Sequence, residues 1–272
     1  MQIGKIIIKS VLILFIIETS LFAQEKAAYS IAYVGMDMDY REYSHGVLVD
    51  SEKSSISQMQ GYELHYKYNF DRQKEDEYST LDFAVTYLWG ETEYAGSYLS
   101  NNTGYGSVVG TTDNEIADTV LNFSHTYHTA QAMEVSFGFG LGYRYWDRKL
   151  SIVQEELYEW FSLRPNIALH YFISDVKLSA CFEYQYGLNP KMSASNISED
   201  FNLGSANITE TTLRASYDIT DNFSIYGSYI YAYQTIQESN VVYDGSGNGY
   251  VEPDSKASNQ YLKFGVTFKY LY

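Results

Sequence analysis

The sequence predicts an all-β fold, an antiparallel transmembrane β-barrel of about ten strands with short turns at one end and long loops at the other. Three observations support this fold class: a C-terminal run that alternates without a break, similar runs along the chain, and connections of alternating length. Because successive strand side chains point to opposite faces, strict alternation indicates a strand with one apolar face. In the C-terminal run that face consists of Leu262, Phe264, Val266, Phe268, Tyr270 and Tyr272.

The other alternating runs have the length that a tilted strand needs to cross a bilayer, about nine to eleven residues. Their apolar faces are rich in Tyr and Phe, of which the chain has 29 and 14, and such rings suit membrane interfaces. With the C-terminal run they make ten strands, an even number, as single-chain barrels of this kind require. The first run, near 28–40, is the least regular, and the rest lie at 62–68, 81–89, 121–127, 133–145, 161–171, 176–186, 213–219 and 223–233.

The connections between the runs alternate in length, which is what ten strands give when both ends of the barrel domain lie on the side of the short turns. Pro165 interrupts the sixth run, where we expect a bulge or a strand boundary, because proline lacks the backbone donor that a sheet needs. The short connections are 71–77, 128–131, 174–175 and 220–222, and the long ones are near 41–57, 96–114, 147–157, 189–205 and 239–257.

The C-terminal run resembles the closing strand of bacterial outer-membrane β-barrels, whose terminal residues serve as the assembly signal. The resemblance implies a Gram-negative outer membrane, with periplasmic turns and extracellular loops. It also implies three partners: outer-membrane lipid, lipopolysaccharide and the barrel assembly machinery. A secreted β-sandwich is the alternative, but its outward face is usually charged. The residues of the implied assembly signal are Phe264, Phe268, Tyr270 and Tyr272.

The N-terminus has the features of a secretory signal peptide. Lys5 and Lys9 precede and flank an apolar run at 11–17, and Ala23 ends a suitable cleavage site. We therefore predict a signal peptide over 1–23 and a single outer-membrane barrel domain over 24–272. The single cysteine, Cys181, allows no internal disulfide. A formal net charge of −16 argues against nucleic acid as a partner, because phosphates need a basic surface.

The polar faces of the strands predict a barrel interior lined with acids and bases. Ten strands enclose a space only slightly wider than side chains can fill, so opposite charges are expected to meet across it. A structural network that plugs the lumen and a narrow porin-like channel are the two interpretations, and no cofactor is predicted. Glycines at 138, 140 and 142 share the inward face and make local room. The predicted lumen network consists of Glu63, Lys67, Glu134, Arg144, Arg164, Glu183 and Arg214.

In size, strand number and loop plan the chain also resembles the omptins, outer-membrane proteases whose site needs an Asp pair facing an Asp-His pair at the outer rim. His45, with Asp50 near it, is the one histidine predicted at that rim, and the later half of the chain supplies none there. Asp37 and Asp39 have the spacing of an Asp pair but no imidazole opposite. No catalytic residue is therefore assigned, and an omptin-like protease stays an alternative to the structural or porin-like barrel.

The last long loop, 239–257, partly matches a calcium-binding loop. Asp244, Ser246 and Asn248 stand at positions one, three and five, with Gly249 at six, as in an EF-hand. Ser255 replaces the Glu of position twelve, so the match predicts weak calcium binding at most, and a flexible glycine-rich tip is the alternative. No metal ligand is assigned. Tyrosines in the loops favour a further alternative, a surface adhesin or ligand-binding barrel, and these are Tyr94, Tyr98, Tyr105, Tyr243 and Tyr250.

Overall fold

A computed structural model describes residues 27–70, 77–97, 104–130, 132–151 and 154–270, and the predicted all-β barrel fold is confirmed. Ten long antiparallel strands form a closed ring, since the first pairs with the last from Ala27 and Tyr270 to Tyr43 and Asp254. No helix among these residues is long and apolar enough to span a bilayer. The predicted signal peptide, 1–23, lies outside the described residues.

The barrel wall has the strand order β1-β3-β4-β5-β6-β7-β8-β10-β11-β14, and β14 returns to β1. The wall strands are β1 (Ala27–Ser44), β3 (Met59–Phe70), β4 (Glu77–Gly96), β5 (Val108–Ala130), β6 (Met133–Lys149), β7 (Glu155–Ile173), β8 (Val176–Ala194), β10 (Ala206–Thr220), β11 (Phe223–Ile236) and β14 (Asp254–Tyr270). The short strands are β2 (Val47–Lys53), β9 (Phe201–Asn202), β12 (Val242–Tyr243) and β13 (Gly249–Tyr250).

The connections are short at one end of the barrel and longer at the other, as predicted. Ser174 and Asp175 join β7 to β8, with Ser174 at a φ of 50°, and residues 221–222 join β10 to β11. Residues 71–76, between β3 and β4, lie outside the described part of the chain. At the long-loop end, β2 pairs with both β1 and β4 and so occupies the place in the wall above β3.

The strands extend further at the long-loop end than the sequence pattern predicted. β1 reaches Ser44 and β5 begins at Val108, so much of the predicted loops 41–57 and 96–114 is strand. In β1, Ile31 points outward and is exposed, whereas Met38, further along, points inward and is buried. A wall that leaves the bilayer has water outside and protein inside. Beyond the bilayer the apolar residues therefore lie on the inward face of the wall. A prediction based on an outward apolar face consequently ends each strand too early.

Outward-facing aromatic residues form two belts, as in membrane barrels. Tyr29 and Tyr270, with ring centroids 5.9 Å apart, belong to the belt at the short-turn end, and Tyr87 and Trp89, at 5.6 Å, to the outer belt. The wall between the belts is the membrane-spanning band. The interior beyond the outer belt is here called the outer compartment, and its lining includes Met36, Met38, Tyr40, Met59, Trp146, Tyr158, Trp160 and Met192.

Pro165 lies inside β7 without a bulge, so both forms of the expectation at this residue were wrong. Leu163 pairs with Tyr186 and Asn166 with Glu183, which is the same register on either side of the proline. The ladder to β8 omits a pair at Pro165 because the residue has no amide donor. The register shift lies nearer the loops, between Glu159 and Phe161, where β8 carries Asn189 at a φ of 47°.

Candidate functional site

Three residues of the predicted lumen network lie close together in the membrane-spanning band or near it, around an acid that was not predicted. Arg164 Nη2 lies 2.5 Å from Asp118 Oδ1, and Arg164 Nη1 lies 3.8 Å from Glu183 Oε1. Arg144 Nη1 lies 3.6 Å from Asp118 Oδ2. Asp118 thus joins two guanidinium groups from β6 and β7. Each of these charges has an opposite charge within reach, which is the arrangement that a buried ion pair requires.

The other four predicted network residues belong to different groups along the barrel axis. Glu63 Oε2 lies 2.5 Å from Lys263 Nζ and accepts a hydrogen bond of 3.0 Å from Thr86. The Arg214 guanidinium stacks over the Tyr226 ring at 3.6 Å. Lys67 stands opposite Asp82 in the β3–β4 ladder, and Glu134 accepts from Tyr78 at 3.0 Å near the short-turn end.

Glycines on β6 make room for side chains of β7. A Cβ added at Gly142 would overlap the Arg164 guanidinium, and one at Gly138 would overlap the Asn166 amide. Arg164 can therefore pass over β6 to reach Asp118 on β5. The room that the sequence predicted on this face is occupied by these two side chains.

Replacing Gly142 with Ala is expected to lower the free energy of unfolding by about 1–3 kcal/mol, because a methyl group forced into a filled space displaces its neighbours. Denaturant unfolding of the refolded barrel measures the loss. Gly227→Ala is the matched control, since its added Cβ would meet nothing closer than the Phe264 ring at 3.6 Å. Equal stability of Gly142→Ala and the wild type would contradict the packing of Arg164 described here.

The outer compartment is filled by a hydrophobic cluster that the sequence analysis did not predict. The Trp146 ring stacks on Tyr158 with centroids 5.0 Å apart and meets the edge of Tyr40 at 5.1 Å. Trp146 and Trp160 are each 2% exposed, and Tyr158 is fully buried. The members beyond those already named include Val34, Leu88, Ile116, Phe201, Leu203, Ile208, Ile236 and Val242. This part of the lumen is therefore packed like the core of a water-soluble domain.

A fully buried arginine, Arg148, lies at the outer edge of that cluster. Its Nη2 lies 2.6 Å from Glu52 Oε1, and its Nη1 lies 2.8 Å from both Glu42 Oε1 and Glu156 Oε2. Its Cζ is 4.6 Å from the centre of the Tyr40 ring. Charge-assisted hydrogen bonds of this length are strong, and the aromatic face adds a cation–π contact.

Glu252, in the last long loop, approaches the same group from above. Its carboxylate accepts a hydrogen bond from the Tyr158 hydroxyl, and its backbone nitrogen donates to Ser239 Oγ at 2.9 Å. Burial, with the charges of Glu42 and Glu156, raises the pKa of Glu252 well above its usual range. We call Glu42, Glu52, Glu156 and Glu252 around Arg148 the outer acid cluster. It brings four acids to one base.

Glu52 is tied to the hydrophobic cluster by a chain of polar contacts. Thr92 Oγ1 donates to Glu52 Oε2 at 2.7 Å, and Asn114 Nδ2 donates to the same oxygen at 3.1 Å. Trp146 Nε1 in turn donates to Asn114 Oδ1 at 2.8 Å. Both oxygens of Glu52 are thus satisfied, one by Arg148 and one by this chain, which is what a buried carboxylate requires.

Between the paired charges and the packed outer compartment lies a cavity of about 50 Å³, lined by residues that include Asp118, Arg144 and Lys263. A polar cavity of that size holds a few water molecules and no larger solute.

The histidines and the predicted Asp pair do not form an omptin-like arrangement at the outer rim within the described residues. His45 occupies the β1–β2 turn at a φ of 52°, and its Nδ1 lies 3.1 Å from Ser44 Oγ. His65 pairs with Asp82 at 3.0 Å inside the barrel. Asp39 points outward and binds Arg41 at 2.9 Å.

The glycine-rich tip of the last long loop is held by its own hydrogen bonds. Asp244 Oδ1 accepts from the backbone nitrogens of Ser246 and Asn248 at 2.8 and 2.9 Å. Asp244 Oδ2 accepts from the Asn248 amide at 2.9 Å and from the Tyr250 hydroxyl at 3.2 Å. These hydrogen bonds lower the pKa of Asp244, and those from Asn248 contribute most. Both oxygens are engaged within the loop, and calcium binding there stays a prediction.

Every residue of the outer acid cluster lies in a segment that the sequence analysis took for a loop: Glu42 and Glu52 in 41–57, Arg148 and Glu156 in 147–157, and Glu252 in 239–257. The alternation of bulky side chains in two of these segments does indicate that the strands continue. Trp146 and Arg148 share one face of a strand, as do Glu156, Tyr158 and Trp160, with the bulky side chains inward.

No protein-family model and no curated protein matches the chain. Among solved structures it is similar to the outer membrane protease OmpT from Escherichia coli, with a TM-score of 0.53 and 13% identity over 93% of this chain and 99% of that one. It is also similar to the attachment invasion locus protein Ail of Yersinia pestis, with a TM-score of 0.32 and 12% identity over 91% and 99%. A third is an outer membrane channel from Pseudomonas putida F1, with a TM-score of 0.43 and 11% identity over 92% and 98%.

At these identities the comparison with OmpT concerns the fold and not the activity. The closed ring of ten strands agrees with that fold. The chain is therefore a β-barrel of the outer-membrane type, with the ten-stranded architecture of the omptin-like barrels.

Proposed function

We propose that this protein is a structural outer-membrane barrel with a closed, non-conducting lumen, and that it acts through its outer loops. One observation carries the proposal: side chains pack the lumen at the outer end. Trp146, Tyr158 and Trp160 are all almost completely buried there, and the outer acid cluster closes the space above them. A channel needs a continuous wet path, and a packed apolar core interrupts it.

The charges within the membrane-spanning band support the same function. A selective pore presents charged side chains to passing ions. Here Arg164 contacts Asp118 and Lys263 contacts Glu63, so these charges neutralise each other within ion pairs. These pairs support the structural interpretation of the lumen network over the porin-like one.

The loops supply the surface through which such a barrel would act. Large apolar side chains are exposed beyond the outer belt, where they face water and not lipid. Exposed apolar residues grouped on loops are typical of interaction surfaces. The exposed set consists of Val47, Tyr105, Val109, Val241, Tyr243 and Val251. Tyr98, predicted for the same role, lies outside the described residues.

The proposal places the barrel in the outer membrane of a Gram-negative cell, with lipid and lipopolysaccharide against its band and the assembly machinery as a transient partner. Phe264, Phe268 and Tyr270 point outward at the closing strand and are exposed, as an assembly signal read by another protein would need. Tyr272, the last residue of that signal, lies outside the described residues.

Conductance of the refolded protein in a planar bilayer tests the proposal. We expect insertion without stable current steps, because the packed outer compartment leaves no path for hydrated ions. A gel-mobility shift between heated and unheated samples shows in parallel that the inserted barrel is folded. Stable, ion-selective steps from the folded protein would refute the closed lumen and favour the porin-like channel.

A further inference from the structure

We propose that Glu42, Glu156 and Glu252 bind a calcium ion at the outer end of the barrel, beneath the last long loop. One carboxylate oxygen of each residue lies within 4.8 Å of the corresponding oxygens of the other two. Calcium holds oxygen ligands at about 2.3–2.6 Å, so one ion between the three oxygens would reach them all. The inference concerns a site within the outer acid cluster and does not depend on whether the lumen conducts.

The outer acid cluster has four acidic groups and one basic group, and this excess of acids favours the binding of a further cation. Among the described residues, Arg148 is the one base that contacts the cluster, and two of its guanidinium nitrogens bind Glu52. The remaining nitrogen, Nη1, donates to Glu42, Glu156 and the Tyr158 hydroxyl. Glu252 receives a hydrogen bond from the neutral Tyr158 hydroxyl. Burial of carboxylates without opposite charge is costly, and a divalent cation removes that cost.

A second observation points to a missing ligand. Tyr40 is fully buried, and its hydroxyl lies near Ser255 but forms no hydrogen bond of normal geometry with any described residue. Buried hydroxyl groups are almost always paired, so a partner absent from the protein itself is indicated. Tyr40 lies two residues before Glu42 on the same face of β1, and its ring contacts the Arg148 guanidinium at 4.6 Å, which places it beside the outer acid cluster. Its oxygen, directly or through a water, would add to the ion's coordination.

The ligands favour calcium over a transition metal, because all are hard oxygen atoms with no histidine or cysteine among them. They come from β1, β7 and the last long loop. An ion shared by the three would fasten that loop over the barrel mouth. The site differs from the loop tip, where both carboxylate oxygens of Asp244 accept hydrogen bonds from within the loop.

Calorimetric titration of the refolded, chelator-treated full chain with CaCl₂ tests the site, together with thermal unfolding at each calcium concentration. We expect binding of one ion per chain and a rise of the unfolding temperature with calcium. Glu252→Gln should lose both effects while unfolding no earlier than the wild type without calcium, because the neutral amide adds no charge to the buried cluster and can still accept the Tyr158 hydrogen bond. Asp244→Asn is the matched control in the same loop and should keep the calcium response.

Glu156→Gln provides a second variant with the same expected loss, in case Glu252→Gln does not refold. The proposal is overturned if the folded wild type binds no calcium or if these glutamine variants respond to it like the wild type. Loss of the response in Asp244→Asn with its retention in Glu252→Gln would assign the ion to the loop tip and would equally overturn it.

Discussion

Replacing Arg148 with Met is expected to lower the free energy of unfolding by about 3–5 kcal/mol, because removing one partner of a buried ion pair leaves the other charge uncompensated. The guanidinium is fully buried and contacts Glu42, Glu52 and Glu156. Met keeps an apolar chain in the site but supplies no charge. Denaturant unfolding of the refolded barrel, followed by tryptophan fluorescence, measures the loss.

Lys191→Met is the control. The Lys191 side chain is 53% exposed and lies 3.6 Å from Asp200, which is equally exposed, so its removal is expected to cost less than about 1 kcal/mol, as for surface pairs generally. Similar losses for the two variants would contradict the special role of the buried guanidinium.

Replacing Trp146 with Ala is expected to cost about 3–5 kcal/mol, the range for large aromatic residues removed from a packed core. The variant empties the space beside Tyr158 and also leaves Asn114 Oδ1 without its indole donor. Both effects act on the outer compartment, far from the lipid.

Trp89→Ala is the matched control, because Trp89 is 43% exposed and faces outward in the outer belt. Its removal creates no cavity, so the expected loss is clearly smaller. If the barrel tolerated Trp146→Ala as well as Trp89→Ala, the outer compartment would not be a packed core. Unfolding of both variants by denaturant in the same lipid or detergent makes the comparison direct.

The band of the barrel was predictable because its environment is simple. Lipid lies outside and the narrow lumen inside, so strands such as β14 alternate in one phase along the whole band. The irregular first run has a physical explanation in β1. Its apolar residues face outward at Ile31 and Tyr33 and inward at Met36 and Met38, where the wall passes from lipid into water.

The inward direction of the lumen charges followed from alternation, but their partners did not. Asp118, which contacts Arg164 and Arg144, lies before Leu121, where the apolar alternation that predicts its strand begins. Which charge meets which across the lumen depends on the stagger between strands, and a single sequence does not specify it. The sequence shows the glycines of β6, but it does not show which side chains occupy the space beside them.

The outer acid cluster was missed for a different reason. Its residues come from three predicted loops far apart in sequence, and each looks like a charged loop residue when considered alone. Only the continuation of the strands beyond the bilayer turns Glu42, Arg148 and Glu156 inward. The inverted phase of alternation is therefore the pattern to seek beyond each membrane strand.

Cysteine accessibility on either side of the β1 wall tests most directly whether the outer compartment is a packed interior surrounded by water. Met38→Cys and Asp39→Cys, each in a Cys181→Ser background, are treated with a membrane-impermeant maleimide on the folded barrel in lipid vesicles. Met38 is 2% exposed and faces inward, while the Asp39 side chain is 33% exposed and faces outward. We predict rapid labelling at position 39 and labelling at position 38 only after unfolding. Equal labelling at the two positions in the folded barrel would contradict the packed compartment.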